Sequence, residues 1–193
     1  MKIIGLTGSI GMGKTTTASF FKAEGVPVHD SDECVHRLYA GDAVPLIADI
    51  DPSFVENGTV KRQILAAAIA QKPQLLRVIE ELVHPLVTKD RKQFLERARI
   101  GGHALVVVDI PLLLERGFEH DVDVVLVVTA PAQIQEDRVL RRPGMTKEKL
   151  EMIRSRQMSS DKKVKSAHIV FDTSRGLDEL KQDVKSLIRS LST

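Results

Sequence analysis

A short apolar run, Lys2 to Thr7, breaks at once into Gly8-Ser9-Ile10-Gly11-Met12-Gly13-Lys14-Thr15, and an amphipathic stretch then runs to Glu24 before Gly25. Strand, glycine-rich turn and helix in that order constrain the fold more than any other segment. The turn fits G-x-x-x-x-G-K-[ST] in full. Its glycines let successive backbone N–H groups curl around an anion, and the helix that follows presents its positive dipole end to the same place. A lysine at position 14 supplies a point charge for the β and γ phosphates, and a threonine hydroxyl at position 15 can ligate Mg²⁺. Gly8, Gly11, Met12, Gly13, Lys14, Thr15 and Thr16 are therefore the expected contacts of a nucleoside triphosphate. The dinucleotide pattern G-x-G-x-x-G fails, because position 16 is Thr16.

The rest of the chain alternates strand-like runs with helical spacing, which predicts α/β architecture with a five-stranded, mainly parallel sheet flanked by helices. Ala104 to Val108 and Val122 to Val128 are dense in valine and leucine, as strands buried on both faces should be. Val26 to His29 and Ala167 to Phe171 are weaker strands, and Pro27 suits a strand start or an edge. Leu180, Val184, Leu187, Ile188 and Leu191 predict a last helix from Leu177 to Leu191. Residues 40–100 are largely helical in pattern and read as an insertion. Residues 141–165 have helical spacing with few apolar anchors and read as a mobile flap or a solvated helical pair. The predicted organisation is a nucleotide-binding core of residues 1–39, 101–140 and 166–193, a helical acceptor domain of residues 40–100 and a lid of residues 141–165.

Composition narrows the setting. A formal net charge of +2 gives no reason to expect a nucleic-acid coat or a polybasic membrane binder, and with no tryptophan and one tyrosine there are few stacking platforms. The sum hides an asymmetry, since residues 136–165 carry ten basic and five acidic side chains. Cys34 alone excludes an intrachain disulfide framework, and no apolar run or leader pattern predicts a membrane span or a signal peptide. A cytoplasmic protein is the expectation.

A phosphate loop alone leaves the acceptor open. A GTPase would need D-x-x-G and N-K-x-D, yet no glycine has an aspartate three places before it and the one asparagine, Asn57, precedes Gly58. A kinase acting on a hydroxyl needs a carboxylate near the γ-phosphate, and such groups gather at the C-terminal ends of parallel strands. His29-Asp30-Ser31-Asp32 ends the second strand; Asp30 suits a helix N-cap as well as a functional role, and the position of Asp32 favours function. Asp109 ends the third strand, where holding Mg²⁺ through water and capping a turn stand level. Arg138 and Arg142 fall four apart on one helix face.

These segments together resemble the dephospho-coenzyme A kinase family of P-loop kinases. The likeness runs nearly end to end: GLTGSIGMGKT at the start, DSDECVHRLY at residues 30–39, His84-Pro85-Leu86-Val87, DIPLLLE at residues 109–115, Val127 to Pro131, Gln135-x-x-Arg138-x-x-x-Arg142, Gly144-Met145-Thr146 and Arg156-Gln157. The resemblance implies phosphorylation of the ribose 3′-hydroxyl of dephospho-coenzyme A by Mg·ATP. It implies Asp32 as the base, Lys14, Arg138 and Arg142 as stabilisers of the transferring phosphoryl group, and Asp32, Arg37, His84 and Glu115 as acceptor contacts. Thr15 would ligate Mg²⁺, with Asp109 behind a water. One departure stands out: the family's Asp-Asn-x-Gly-like turn, where the adenine packs, here reads Asp172-Thr173-Ser174-Arg175-Gly176.

Overall fold

The computed structural model describes residues 1–191. In chain order the elements are β1 (Lys2–Thr7), α1 (Lys14–Ala23), β2 (Val28–Asp30), α2 (Ser31–Leu38), α3 (Ala43–Ala48), β3 (Val55–Glu56), β4 (Thr59–Val60), α4 (Arg62–Gln71) and α5 (Gln74–Ile100). They continue with β5 (Leu105–Asp109), β6 (Val124–Thr129), α6 (Ala132–Leu140), α7 (Lys147–Ser155), α8 (Ser160–Lys165), β7 (Ile169–Asp172) and α9 (Leu177–Leu191). The chain divides into two compact units, Met1–His29 with the chain from Ala98 onward, and Asp30–Arg97. The segment 141–165 belongs to the first unit.

The first unit is built on the predicted sheet, in the order β2-β5-β1-β6-β7, with β1 parallel to β5 and β6, and β6 parallel to β7. All five residues of β5 are buried, as its run of valines requires. Fully burying one such side chain contributes roughly 1.5–3 kcal/mol. The core joins Ile4, Leu6, Phe21, Val107, Leu126 and Val128 to Leu180, Val184 and Leu187 of α9. β1 lies at the centre, with neighbours reached by crossovers in both directions. The crevice outside its C-terminal end is therefore the place where a doubly wound sheet holds a ligand. Strand β2 starts two residues later than its apolar pattern suggests. Pro27 has no N–H to give, but its carbonyl accepts from Val107 N at 2.9 Å, so pairing begins through oxygen alone.

The second unit has its own core of Ala43, Ile47, Phe54, Val60, Leu65, Ile79 and Val83. It is helical as expected, apart from a two-stranded hairpin. β3 and β4 pair antiparallel, Val55 with Val60 and Glu56 with Thr59, around Asn57 and Gly58. Both turn residues have positive φ, 51° and 71°, the conformation that Asn-Gly favours in a two-residue hairpin.

Candidate active site

The phosphate loop leaves β1 and opens α1 at Lys14. Gly11 and Gly13 have φ of +77° and +88°. A Cβ on Gly11 would lie 2.6 Å from Val139 Cγ2, and one on Gly13 would lie 3.0 Å from Thr173 Cγ2, so space as well as conformation demands glycine. Thr15 is exposed at the opening of the helix, where its hydroxyl can reach a metal. The Met12 side chain is buried, and its sulfur accepts from Ala130 N at 3.1 Å, so this residue fastens the loop to the end of β6.

Lys14 Nζ lies 2.6 Å from Asp109 Oδ1. The Asp109 side chain is fully buried and that of Lys14 is 15% exposed, and Asp109 stands opposite Leu6 of β1 in the parallel register. Arg138 of α6 reaches the same region. Its Nη1 donates to Thr173 Oγ1 at 2.8 Å and its Nη2 to Thr173 O at 2.8 Å, while Gly11 O lies 3.5 Å from Nη1. Thr173 is a hub, since its hydroxyl also lies 3.0 Å from Met12 O and 3.2 Å from Thr129 O. Next to it Asp172 Oδ1 accepts from Ser174 N at 2.9 Å and Ser174 Oγ at 2.6 Å, and these bonds hold the Asp172 carboxyl below the usual carboxylate range.

The segment 141–165 touches the loop through side chains that sequence reasoning left without a role. Ile10 N donates to Gln157 Oε1 at 3.2 Å, and Gln135 Nε2 donates to Ile10 O at 2.7 Å. Arg154 Nε and Nη2 hold Gln135 Oε1 at 3.1 and 2.8 Å. At the base of the same segment Lys163, 1% exposed, pairs with Glu115 Oε1 at 2.9 Å, and Met158 N donates to the same oxygen at 2.8 Å. Glu115 was an expected acceptor contact; one of its oxygens is engaged here, and the other is buried with no hydrogen-bond partner among the described residues. Arg142, just past α6, is exposed.

The remaining acceptor candidates lie in the second unit. Asp30 caps α2, its Oδ1 accepting from Asp32 N and Glu33 N at 3.0 Å each. The capping role weighed for Asp30 is thus the observed one, and the Asp32 carboxylate stays exposed in the first turn. Arg37 Nη2 donates to Asp90 Oδ2 at 3.0 Å. Cys34, on the same helix, is buried; burial, then the hydrogen bond and charge of Asp90, push its thiol up to about 12 against an opposing pull from Arg37. His84 is exposed on α5, one residue before Pro85.

Comparison with known proteins decides what this arrangement serves. The dephospho-CoA kinase family model matches residues 2–179. The chain belongs to that family. A dephospho-CoA kinase from Brucella melitensis is 49% identical over 192 residues, covering 100% of this chain and 96% of the relative. One from Agrobacterium fabrum is 49% identical over 191 residues, covering 99% and 98%. Among solved structures, a protein from Thermus thermophilus superposes with a TM-score of 0.85 at 32% identity, covering 98% of this chain and 97% of its own. Dephospho-CoA kinase from Campylobacter jejuni gives 0.71 at 20% identity, covering 98% and 96%, a likeness of fold. Shikimate kinase from Acinetobacter baumannii gives 0.56 at 20% identity, covering 98% and 94%, again a likeness of fold alone. The family's reaction is the ATP-dependent phosphorylation of dephospho-CoA, the last step of coenzyme A synthesis, and the chain is a phosphotransferase of that kind. No described helix is long and apolar enough to cross a membrane.

Proposed function

We propose that the chain transfers the γ-phosphoryl group of ATP to the ribose 3′-hydroxyl of dephospho-CoA. The first unit holds Mg·ATP on Gly8, Gly11, Met12, Gly13, Lys14, Thr15 and Thr16. Asp32 acts as base and, with Arg37 and His84, binds the acceptor. In the step itself the 3′-oxygen forms a bond to the γ-phosphorus, the bond from that phosphorus to the β–γ bridging oxygen breaks, and the hydroxyl proton passes to the Asp32 carboxylate. ADP leaves with the bridging oxygen. Lys14, Arg138 and Arg142 stabilise the charge on the transferring group.

Arg138 supports this reading most directly. A guanidinium carries five N–H donors, and the contacts with Thr173 and Gly11 use three, so its orientation is set while others remain for a phosphoryl oxygen. Thr15 and Asp109 offer the hydroxyl and carboxylate oxygens that Mg²⁺ prefers, one exposed and one buried at the end of β5. They would hold the ion, directly and through water, and the ion when bound neutralises phosphate charge. Residues 141–165 act as a lid that excludes water from the reacting group. Glu115 serves that lid through Lys163 and Met158 and is not assigned to the acceptor.

Asp32→Asn tests the base. Its turnover should drop by more than about tenfold, with the folded state intact by circular dichroism and ATP affinity unchanged. A smaller loss refutes the assignment.

A further inference from the structure

Gln135 and Gln157 meet at one residue of the phosphate loop, Ile10, and Arg154 stands behind Gln135. The Ile10 carbonyl accepts from Gln135 Nε2 at 2.7 Å, and the Ile10 N–H donates to Gln157 Oε1 at 3.2 Å. A trans peptide is planar, with its C=O and N–H pointing in opposite directions. Holding Ile10 O outward therefore turns the Gly11 N–H the other way, toward the interior of the loop. On the preceding peptide, Ile10 N–H points out to Gln157 while Ser9 O accepts from Met12 N at 3.1 Å. Two consecutive peptides are thus oriented from outside, and the second aims an N–H at the place where a phosphate sits.

The amide of Gln135 is itself fixed. The residue is 4% exposed. Its oxygen faces two donors of Arg154 and its nitrogen faces a carbonyl, so only one assignment of the amide satisfies both ends. Arg154 is further tied to Glu151 at 2.6 Å within α7. Gln157 follows α7 two residues after its end. The lid segment accordingly reaches the loop twice, directly through Gln157 and indirectly through Arg154 and Gln135.

We propose that Gln135 and Gln157 are positioning residues that preset the phosphate loop for the triphosphate, and that Arg154 makes this setting depend on the lid helix α7. The inference rests on the reading of Gly8 to Thr15 as the triphosphate site. It assigns to these residues no contact with substrate, and it makes phosphate affinity, not acceptor affinity, the quantity they control.

Gln135→Glu is the test, because it keeps size and keeps the Arg154 partner while replacing the donor to Ile10 O with a carboxylate. Calorimetry with Mg·ATP in the absence of acceptor should show about tenfold weaker binding, the worth of one such bond. KM for dephospho-CoA should stay within about twofold, and circular dichroism should show that the variant is folded. Arg154→Met should weaken Mg·ATP similarly, since it acts through the same amide. Gln157→Met, which removes the acceptor of Ile10 N–H, gives an independent second variant. Unchanged ATP affinity in Gln135→Glu and Gln157→Met overturns the inference while leaving the loop's role intact. Failure of the unaltered chain to bind Mg·ATP would instead overturn the reading on which it rests.

Discussion

The pair of Lys163 and Glu115 allows a quantitative prediction. Lys163 is 1% exposed and its carboxylate partner has 15% of its side chain exposed, with Nζ and Oε1 2.9 Å apart. Lys163 Nζ also reaches Pro111 O at 3.4 Å, and Met158 N donates to the Glu115 oxygen that faces the lysine. Replacing Lys163 with methionine keeps the packing of the stem but strands a carboxylate whose second oxygen is already buried with no hydrogen-bond partner among the described residues. Breaking a buried pair in this way costs about 3–5 kcal/mol. In a chain of 193 residues each kcal/mol lowers the melting temperature by about 2–4 °C, so Lys163→Met should melt about 6–20 °C below the unaltered chain. Adding Glu115→Leu should restore most of that loss, because two apolar groups leave no charge to solvate. Thermal melting followed by circular dichroism on the four chains of the cycle reads both numbers. A drop under about 2 °C in Lys163→Met, or a double variant no more stable than the single, would refute the reasoning that this is a desolvated ion pair anchoring the segment 141–165.

Other outcomes follow from the same geometry. Gly13→Ala places a Cβ at φ +88° and 3.0 Å from Thr173 Cγ2, so ATP affinity should fall by at least about tenfold, and titration calorimetry measures it. Thr173→Val removes the hydroxyl that accepts from Arg138 and lies beside Met12 O; turnover should fall about tenfold, Thr173→Ser should restore most of it, and steady-state kinetics with both variants checks this. Cys34 gives a pH signature. Its thiol pKa is raised to about 12 from 9.0, so the unfolded thiol ionises first as pH rises, and the folded state loses stability above about pH 9 at up to about 1.4 kcal/mol per pH unit. Urea midpoints at about pH 8 and pH 10 should fall further in the unaltered chain than in Cys34→Ala; equal falls would count against the burial argument.

The central strands were legible because burial on both faces leaves little but valine and leucine, and that composition needs no knowledge of partners. β1 and α9 have the bounds read from pattern alone. β2 and β5 do not, since the strands extend to Asp30 and Asp109, whose side chains turn to other work, and Asp109 stands opposite Leu6 in the ladder. The hairpin at Asn57-Gly58 had a strong local signal, the Asn-Gly pair itself, but two-residue strands within a helical stretch are too short for alternation to register.

The site divides along the same line. The phosphate-loop motif is legible residue by residue, because each of its fixed positions is recognised by its own residue type. Gln135, Arg154, Gln157, Thr173 and Lys163 could not be given roles in that way, because each acts on another part of the chain distant in sequence. Ile10 and Gln157 are separated by 147 positions, and Thr173 and Met12 by 161. Thr173 makes the point most sharply. By sequence it is part of a departure from the family's Asp-Asn-x-Gly-like turn, where no adenine-binding side chain is named. In the fold its hydroxyl accepts from Arg138 while lying within bonding distance of Met12 O and Thr129 O, all in a space that Gly13 leaves open by lacking a Cβ. A side chain that must both accept from a guanidinium and donate to a carbonyl can be an asparagine or a threonine, but not a valine of the same shape. The substitution is therefore conservative in hydrogen-bonding chemistry, and the variants at position 173 test whether that chemistry, and not side-chain shape, holds Arg138 in place.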